Sequence, residues 1–554
     1  MSGARALADE YWTYYRDTAQ LWNIDRGDVD QIERWEDLSG SGMAERIRRL
    51  GEFAERADRS MRIDPADEDV TLLAAVSFSA AATQTSLPWM RNRALVSGPF
   101  NFAAFLSVLV PGYNLVTQRH GDGYIAKLRG IPSFIDGWVN GLRDGLGEGQ
   151  TATARGVAAA IDEYDRLLAT DVSNDPLATQ DPPSELTDAE VDAWRREVMT
   201  VITQLVRPAV VSLRDVLEGE VLPRANSDRR PGLCYLSDGA EAYENLLWAA
   251  TSTSQGSDAV HELGLAQLAC LDDEYRQIGG PVLGIDAPAQ MRDRLRTDSD
   301  LQYTSTDEII HDVHALLDRA RSEAPRWFSR LPRVECDIVA VNAGGMAYYT
   351  APSPDGSRHG TFYFNATDPS LWTRFALAPT TFHEAIPGHH LQLALAQELD
   401  LHPVLGELEV TAYSEGWGLY SERLADEMQL YATPLQRIGM LTLDSLRASR
   451  LVVDTGIHAK GWTRQQAIDF LHAHTALARS NVEAEVDRYI ADPGQAVSYM
   501  IGRLELDRLR ADAATRLGNR FSIPSFHDTI LHGGMTPLDE LARRINTWIA
   551  SVSP

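Results

Sequence analysis

Residues 383–390 read His-Glu-Ala-Ile-Pro-Gly-His-His, and a straight helix cannot bring two of these histidines to one point. On a helix that turns about 100° per residue, a side chain four positions on lies about 40° away and one six positions on about 240° away. A side chain seven positions on returns to the same face but stands about 10 Å further along the axis. His389 and His390 are at i+6 and i+7 from His383. Histidines that share one zinc must each reach within about 2 Å of it. Zinc hydrolases usually carry His-Glu-x-x-His on one helix face, with the glutamate activating water. The lengthened spacing therefore predicts a broken helix. Pro387 removes a helical donor and clashes with the preceding turn, and Gly388 tolerates unusual dihedrals. Looping out two residues brings His389 to the second-ligand position; looping out three brings His390. The Gly388-His389 pair favours His389, since the ordinary motif often has glycine before its second histidine.

An acidic third ligand is expected from a following helix. Residues 411–428 (TAYSEGWGLYSERLADEM) are helical by pattern and carry Glu415 and Glu422. The two share a face. Glu415, beside small and aromatic neighbours, is the expected ligand, and Glu422 is placed to orient a ligand histidine. Glu384 is the expected general base. A decoy at 261–265 (His-Glu-Leu-Gly-Leu) has no second histidine and reads as an ordinary helix start.

Most of the remaining chain shows apolar residues at three- and four-residue spacing, as at 152–169, 187–218, 239–254, 305–322 and 435–452. Segments 333–342, 345–350 and 360–366 are rich in β-branched and aromatic residues. The turn signal PDGS stands between the last two, which predicts a small antiparallel sheet just before the histidine motif. The expected fold is mainly α: a mostly helical part over 1–330, then a catalytic part over 331–554 with the sheet and the metal-binding helices, or one continuous fold.

The 554 residues are 44% hydrophobic and 23% charged, an ordinary globular composition. A formal net charge of −28 argues against a nucleic-acid partner or an anionic membrane surface. Three scattered cysteines suggest neither a disulfide framework nor a cysteine metal site. The N-terminal residues show no apolar leader core and no lipobox-like cysteine, so the expectation is a cytoplasmic protein.

Four blocks, TFHEAIPGHHLQ, AYSEGWGLYSERL, RLVVDTGIHAKGW and PGQAVSYMIGRLELDRLR, together resemble the bacterial family called domain of unknown function 885, over nearly the whole chain. That family is grouped with gluzincin-like metallopeptidases. The resemblance implies a helical fold with a deep channel, and zinc on His383, His389 or His390, and Glu415. It also implies Glu384 as base and a late tyrosine, Tyr499, as oxyanion donor. His458 is a second donor candidate, and His458 with Arg450 could bind a substrate carboxylate. Tyr348, Tyr349 and Tyr363, from the expected sheet, could line a groove. The expected reaction is zinc-dependent hydrolysis of a peptide or small amide.

Overall fold

The computed structural model describes residues 3–552, apart from 20, 22–31, 64–66, 99–100, 111–112, 343–344 and 354–357. The expected PDGS turn lies outside the described residues.

The chain is mainly helical, as its periodicity requires. The first half contributes α1 (Gly3–Thr18), α2 (Gly40–Met61), α3 (Asp67–Trp89), α4 (Gln118–Gly147) and α5 (Ala154–Ala169). There follow α6 (Asp188–Val201), α7 (Arg207–Val216), α8 (Gly239–Thr251), α9 (Ser257–Glu274) and α10 (Thr306–Glu323). Hydroxyl caps start several of them. The Thr117 and Ser305 side chains accept from the backbone N–H groups of His120 and Glu308, satisfying donors that a helix start leaves orphaned.

One large core gathers apolar side chains from 4 to 221, together with Val404, Leu405 and Leu408. A second runs from Phe78 through α8, α9 and α10 to Ile549, so the middle helices share a core with the sheet and the histidine motif. Asp69–Ser97 is long and apolar enough to cross a membrane by length and composition alone. Here its α3 portion packs against α1, α2 and α8. A cavity of ≈ 260 Å³ lies between α3 and residues 408–411, lined among others by Arg46, Thr83 and Thr411.

The sheet has three strands, β1 (Cys336–Val341), β2 (Ala347–Thr350) and β3 (Gly360–Asn365), in the order β1-β3-β2. It is mixed, which corrects the antiparallel expectation. β3 inserts between the other two, antiparallel to β2 (Tyr348 opposite Tyr363) and parallel to β1 (Ile338 opposite Phe362). The reason is geometric: the chain reverses after β1 and again after β2, so β3 runs in the direction of β1. Phe362 and Phe364 of the central strand are fully buried.

The later helices include α11 (Leu377–Glu384), α12 (Thr411–Glu427), α13 (Pro434–His458), α14 (Arg479–Ala491), α15 (Ser498–Leu517) and α16 (Leu538–Val552). α12 and α15 touch through bare backbone. A Cβ on Gly502 would lie 1.9 Å from the Ala412 carbonyl oxygen, and one on Gly416 2.6 Å from the Gly502 Cα. This approach sets Tyr499, in the first turn of α15, beside Glu415 of α12.

Candidate metal centre

α11 ends where the sequence demands. Ala385 leaves the helical region at φ −109°, ψ −110°. The chain then turns through a cis Ile386–Pro387 bond and resumes as one wide helical turn over His390–Ala394. Gly388 is obligatory here, because a Cβ would fall 1.9 Å from the His383 carbonyl oxygen. The Trp417 indole N–H donates to the Pro387 carbonyl at 3.0 Å and ties the break to α12. The His383 and His389 rings end 4.8 Å apart and almost perpendicular, at 88°.

Glu415 completes the group. Its Oε2 is 3.4 Å from Nε2 of His383 and 3.4 Å from Nε2 of His389. Two tetrahedral ligands at about 2.0–2.1 Å from a zinc stand roughly 3.3–3.4 Å apart, so this spacing fits a shared ion. The same Oε2 is buried without a hydrogen-bond partner, and a buried carboxylate oxygen in that state calls for a cation. His383, His389 and Glu415 thus form a group that could hold a metal ion, and among the described residues they are the only such cluster. Gly418 makes room for it: a Cβ there would lie 2.6 Å from the His383 ring.

A second layer holds the imidazoles. His383 Nδ1 lies 2.8 Å from Glu422 Oε1. A carboxylate there accepts the Nδ1–H hydrogen bond, which leaves Nε2 as the nitrogen that a metal would take. His389 Nδ1 is 3.4 Å from Gln392 Oε1. Replacing Glu422 by glutamine is expected to lower metal affinity by about 10–100-fold, read by competition with a chelator, while the melting curve of the metal-free chain stays cooperative.

Burial pulls the His383 imidazolium down, but Glu415 and Glu422 outweigh it and raise the pKa to about 9. Burial alone would raise the Glu415 carboxyl; the two histidines hold it well below the usual carboxylate range. Without metal, then, His383 keeps a proton that a cation must displace. Metal affinity should therefore climb with pH up to about 9 and flatten above it, by roughly tenfold per pH unit while one proton is released. Calorimetry in buffers of different ionisation enthalpy counts that proton; a flat profile from pH 6 to 9 would refute it. Burial raises the pKa of Glu384, against His383 and His389.

The other expected residues divide. Tyr499 is at the site: its ring stacks on that of His383 at 6.4 Å and 24°. Its pKa is pushed up to about 12, by burial first and then by Glu415. His390 is not in the metal group. Its Nδ1 pairs with the Tyr349 hydroxyl at 2.9 Å, and burial drives its pKa down to about 4. The break adds two residues to the usual motif rather than three, so His390 falls on the sheet side of the turn. Tyr349 is accordingly engaged with His390 and partly buried, and Tyr348 stacks on Tyr363 at 4.9 Å. His458 is a structural tie, not a catalytic donor. It is fully buried, its Nδ1 accepts from the Leu233 N–H at 3.3 Å, and its Nε2 donates to the Tyr489 carbonyl at 3.0 Å. Arg450 does not pair with Asp454, which takes the Tyr243 hydroxyl and the Gly494 N–H. Arg450 bonds Glu485 and Tyr489 instead, and its guanidinium lies 4.6 Å from the Tyr499 ring centre. Sequence reasoning missed Arg447, on the same face of α13 and 5.7 Å from the same ring; its spacing of three from Arg450 was the available signal.

Among curated proteins, none matches. Solved structures share the fold, among them two that match over almost the whole chain. A "putative lipoprotein" from Colwellia psychrerythraea superposes at a TM-score of 0.91 with 24% identity, over 99% of this chain and 100% of its own. A "putative lipoprotein of unknown function" from Shewanella oneidensis superposes at 0.72 with 17% identity, over 98% and 99%. Lipoproteins are anchored at membranes, so the expectation of a cytoplasmic protein is withdrawn against these two relatives. The family described as bacterial protein of unknown function, domain of unknown function 885, matches residues 21–545, and the chain belongs to it.

Proposed function

We propose that the protein is a zinc-dependent hydrolase that cleaves peptide bonds, with Glu384 as general base. One observation carries the reading. Two imidazole nitrogens stand 3.4 Å from a buried carboxylate oxygen that has no hydrogen-bond partner, the spacing of three ligand atoms around one tetrahedral ion, next to a glutamate that stands between the two histidines in sequence. Among the described residues three side chains converge, not four; three protein ligands are the complement of catalytic zinc, whereas structural zinc takes four. The order of the three also fits the gluzincin-like relationship implied by the sequence blocks.

When bound, the metal supplies Lewis acidity, polarising a carbonyl and lowering the pKa of water. The chain's own residues do the rest. Glu384, its pKa raised by burial, takes a proton from the attacking water and returns it to the leaving amine; a base moved toward the working pH does both well. Tyr499, held protonated at neutral pH, donates a hydrogen bond to the oxyanion that develops on the carbonyl. Glu422 and Gln392 keep the two imidazoles oriented.

Elemental analysis together with a mixed peptide library tests the reading. Stoichiometric zinc and cleavage at peptide bonds are expected. Stoichiometric zinc with cleavage only of esters or non-peptide amides would move the substrate class, and zinc with no cleavage of any of these would sink the proposal.

A further inference from the structure

We infer that Arg447 and Arg450 form a subsite for a substrate carboxylate beside the metal group, an inference that rests on the hydrolase reading above. Both arginines lie on one face of α13, three residues apart. Their guanidinium carbons stand 5.7 and 4.6 Å from the centre of the Tyr499 ring, and that ring stacks on His383. Arg447 Nη2 is also 3.9 Å from Glu422 Oε1, the oxygen that holds His383 Nδ1. Each cation is therefore one side chain away from the metal ligands.

What the two arginines lack points to a ligand. Arg450 is 6% exposed. Its Nε and Nη2 are engaged with Tyr489 and Glu485, but its Nη1 is buried with no partner. Arg447 has a side chain only 12% exposed. Its Nε is buried with no partner, and its nearest carboxylate, Glu422 at 3.9 Å, is beyond hydrogen-bond reach. Buried guanidinium N–H groups are rarely left unmet, because their lost hydration is not replaced. The neighbouring acids do not meet these N–H groups: Glu422 serves His383 through Oε1 and its Oε2 is itself buried without a partner, and Glu485 is shared by Arg450, Arg488 and the Tyr489 hydroxyl. A guanidinium fork matches a carboxylate in both charge and spacing. Arg447, Glu415 and Tyr499 are each partly exposed, and Glu384 is 9% exposed. The carboxylate is either the free C-terminus of a peptide or an acidic side chain.

Calorimetry on the full chain, metal-free and zinc-loaded, separates these cases with three probes: acetyl-Ala-Phe as free acid, the same dipeptide as its C-terminal amide, and acetyl-Asp-Phe-amide. The free acid is expected to bind about tenfold or more tighter than its amide in both forms. The preference should fall to near parity in Arg447→Gln and survive in part in Arg447→Lys. Arg447 makes no hydrogen bond on which the fold depends, so its variants carry the decision even if Arg450→Gln fails to fold. If the aspartyl amide binds as tightly as the free acid, with the same dependence on Arg447, the carboxylate is read from a side chain; if only the free acid does, it is read from the C-terminus. Equal binding of acid and amide by the wild type, or a preference that survives Arg447→Gln, overturns the subsite. A zinc-loaded chain that prefers the acid yet hydrolyses no peptide overturns the hydrolase reading and leaves the subsite standing.

Discussion

Replacing Glu384 by glutamine is expected to leave metal content unchanged and to lower turnover by about 10²–10⁴-fold. The substitution keeps the shape of the side chain and removes its ability to take a proton. Glu384 is not in the metal-binding group, which is His383, His389 and Glu415, so binding should survive. Its loss should also relieve the site of one buried carboxyl whose ionisation burial opposes, so the variant should melt no lower than the parent. Stopped-assay rates on any peptide cleaved by the wild type, set beside zinc stoichiometry, give the answer. Full activity in the glutamine variant would falsify the assignment of the base, whatever the substrate proves to be.

The second large effect separates two adjacent histidines. His389→Ala removes one of the three ligand side chains of the group and should cost more metal affinity than the about 10–100-fold typical of an outer-layer residue. His390→Ala removes the partner of the Tyr349 hydroxyl and should leave metal binding close to that of the wild type. Its cost should fall on stability, about 1–3 kcal/mol, from a cavity and an unmet buried hydroxyl. Competition with a chelator measures the first and a denaturant titration the second. The reverse pattern, with His390 needed for metal and His389 dispensable, would mean that the break after Glu384 is drawn in the wrong register.

Much of the centre was legible in the residues because helix geometry is so restrictive. Two histidines too far apart for one face, separated by Pro387 and Gly388, leave only a broken helix as a solution. Glu415 and Glu422, seven apart, sit on one face for the same reason, and their division into ligand and support follows from which can approach His383 Nε2 and which Nδ1. The sheet was legible as three strands but not as a topology. Composition marks strands, whereas the order β1-β3-β2 depends on which edge the third strand finds. His458 misled because a histidine near a glycine in a helix reads the same whether its nitrogens face a substrate or the backbone of Leu233 and Tyr489.

Local physics, then, is what the chain determines by itself: helices with capped starts, a helix that must stop at Ala385, and a glycine where any side chain would strike the His383 carbonyl. Those requirements involve residues close in sequence, and they hold wherever the segment lies. The tertiary structure decided what depends on distant segments meeting. The bare contact of Gly416 with Gly502 puts Tyr499 beside Glu415, and α13 brings Arg447 and Arg450 over the same ring. No periodicity encodes such meetings, because they are set by how whole helices pack around a shared core rather than by spacing along the chain.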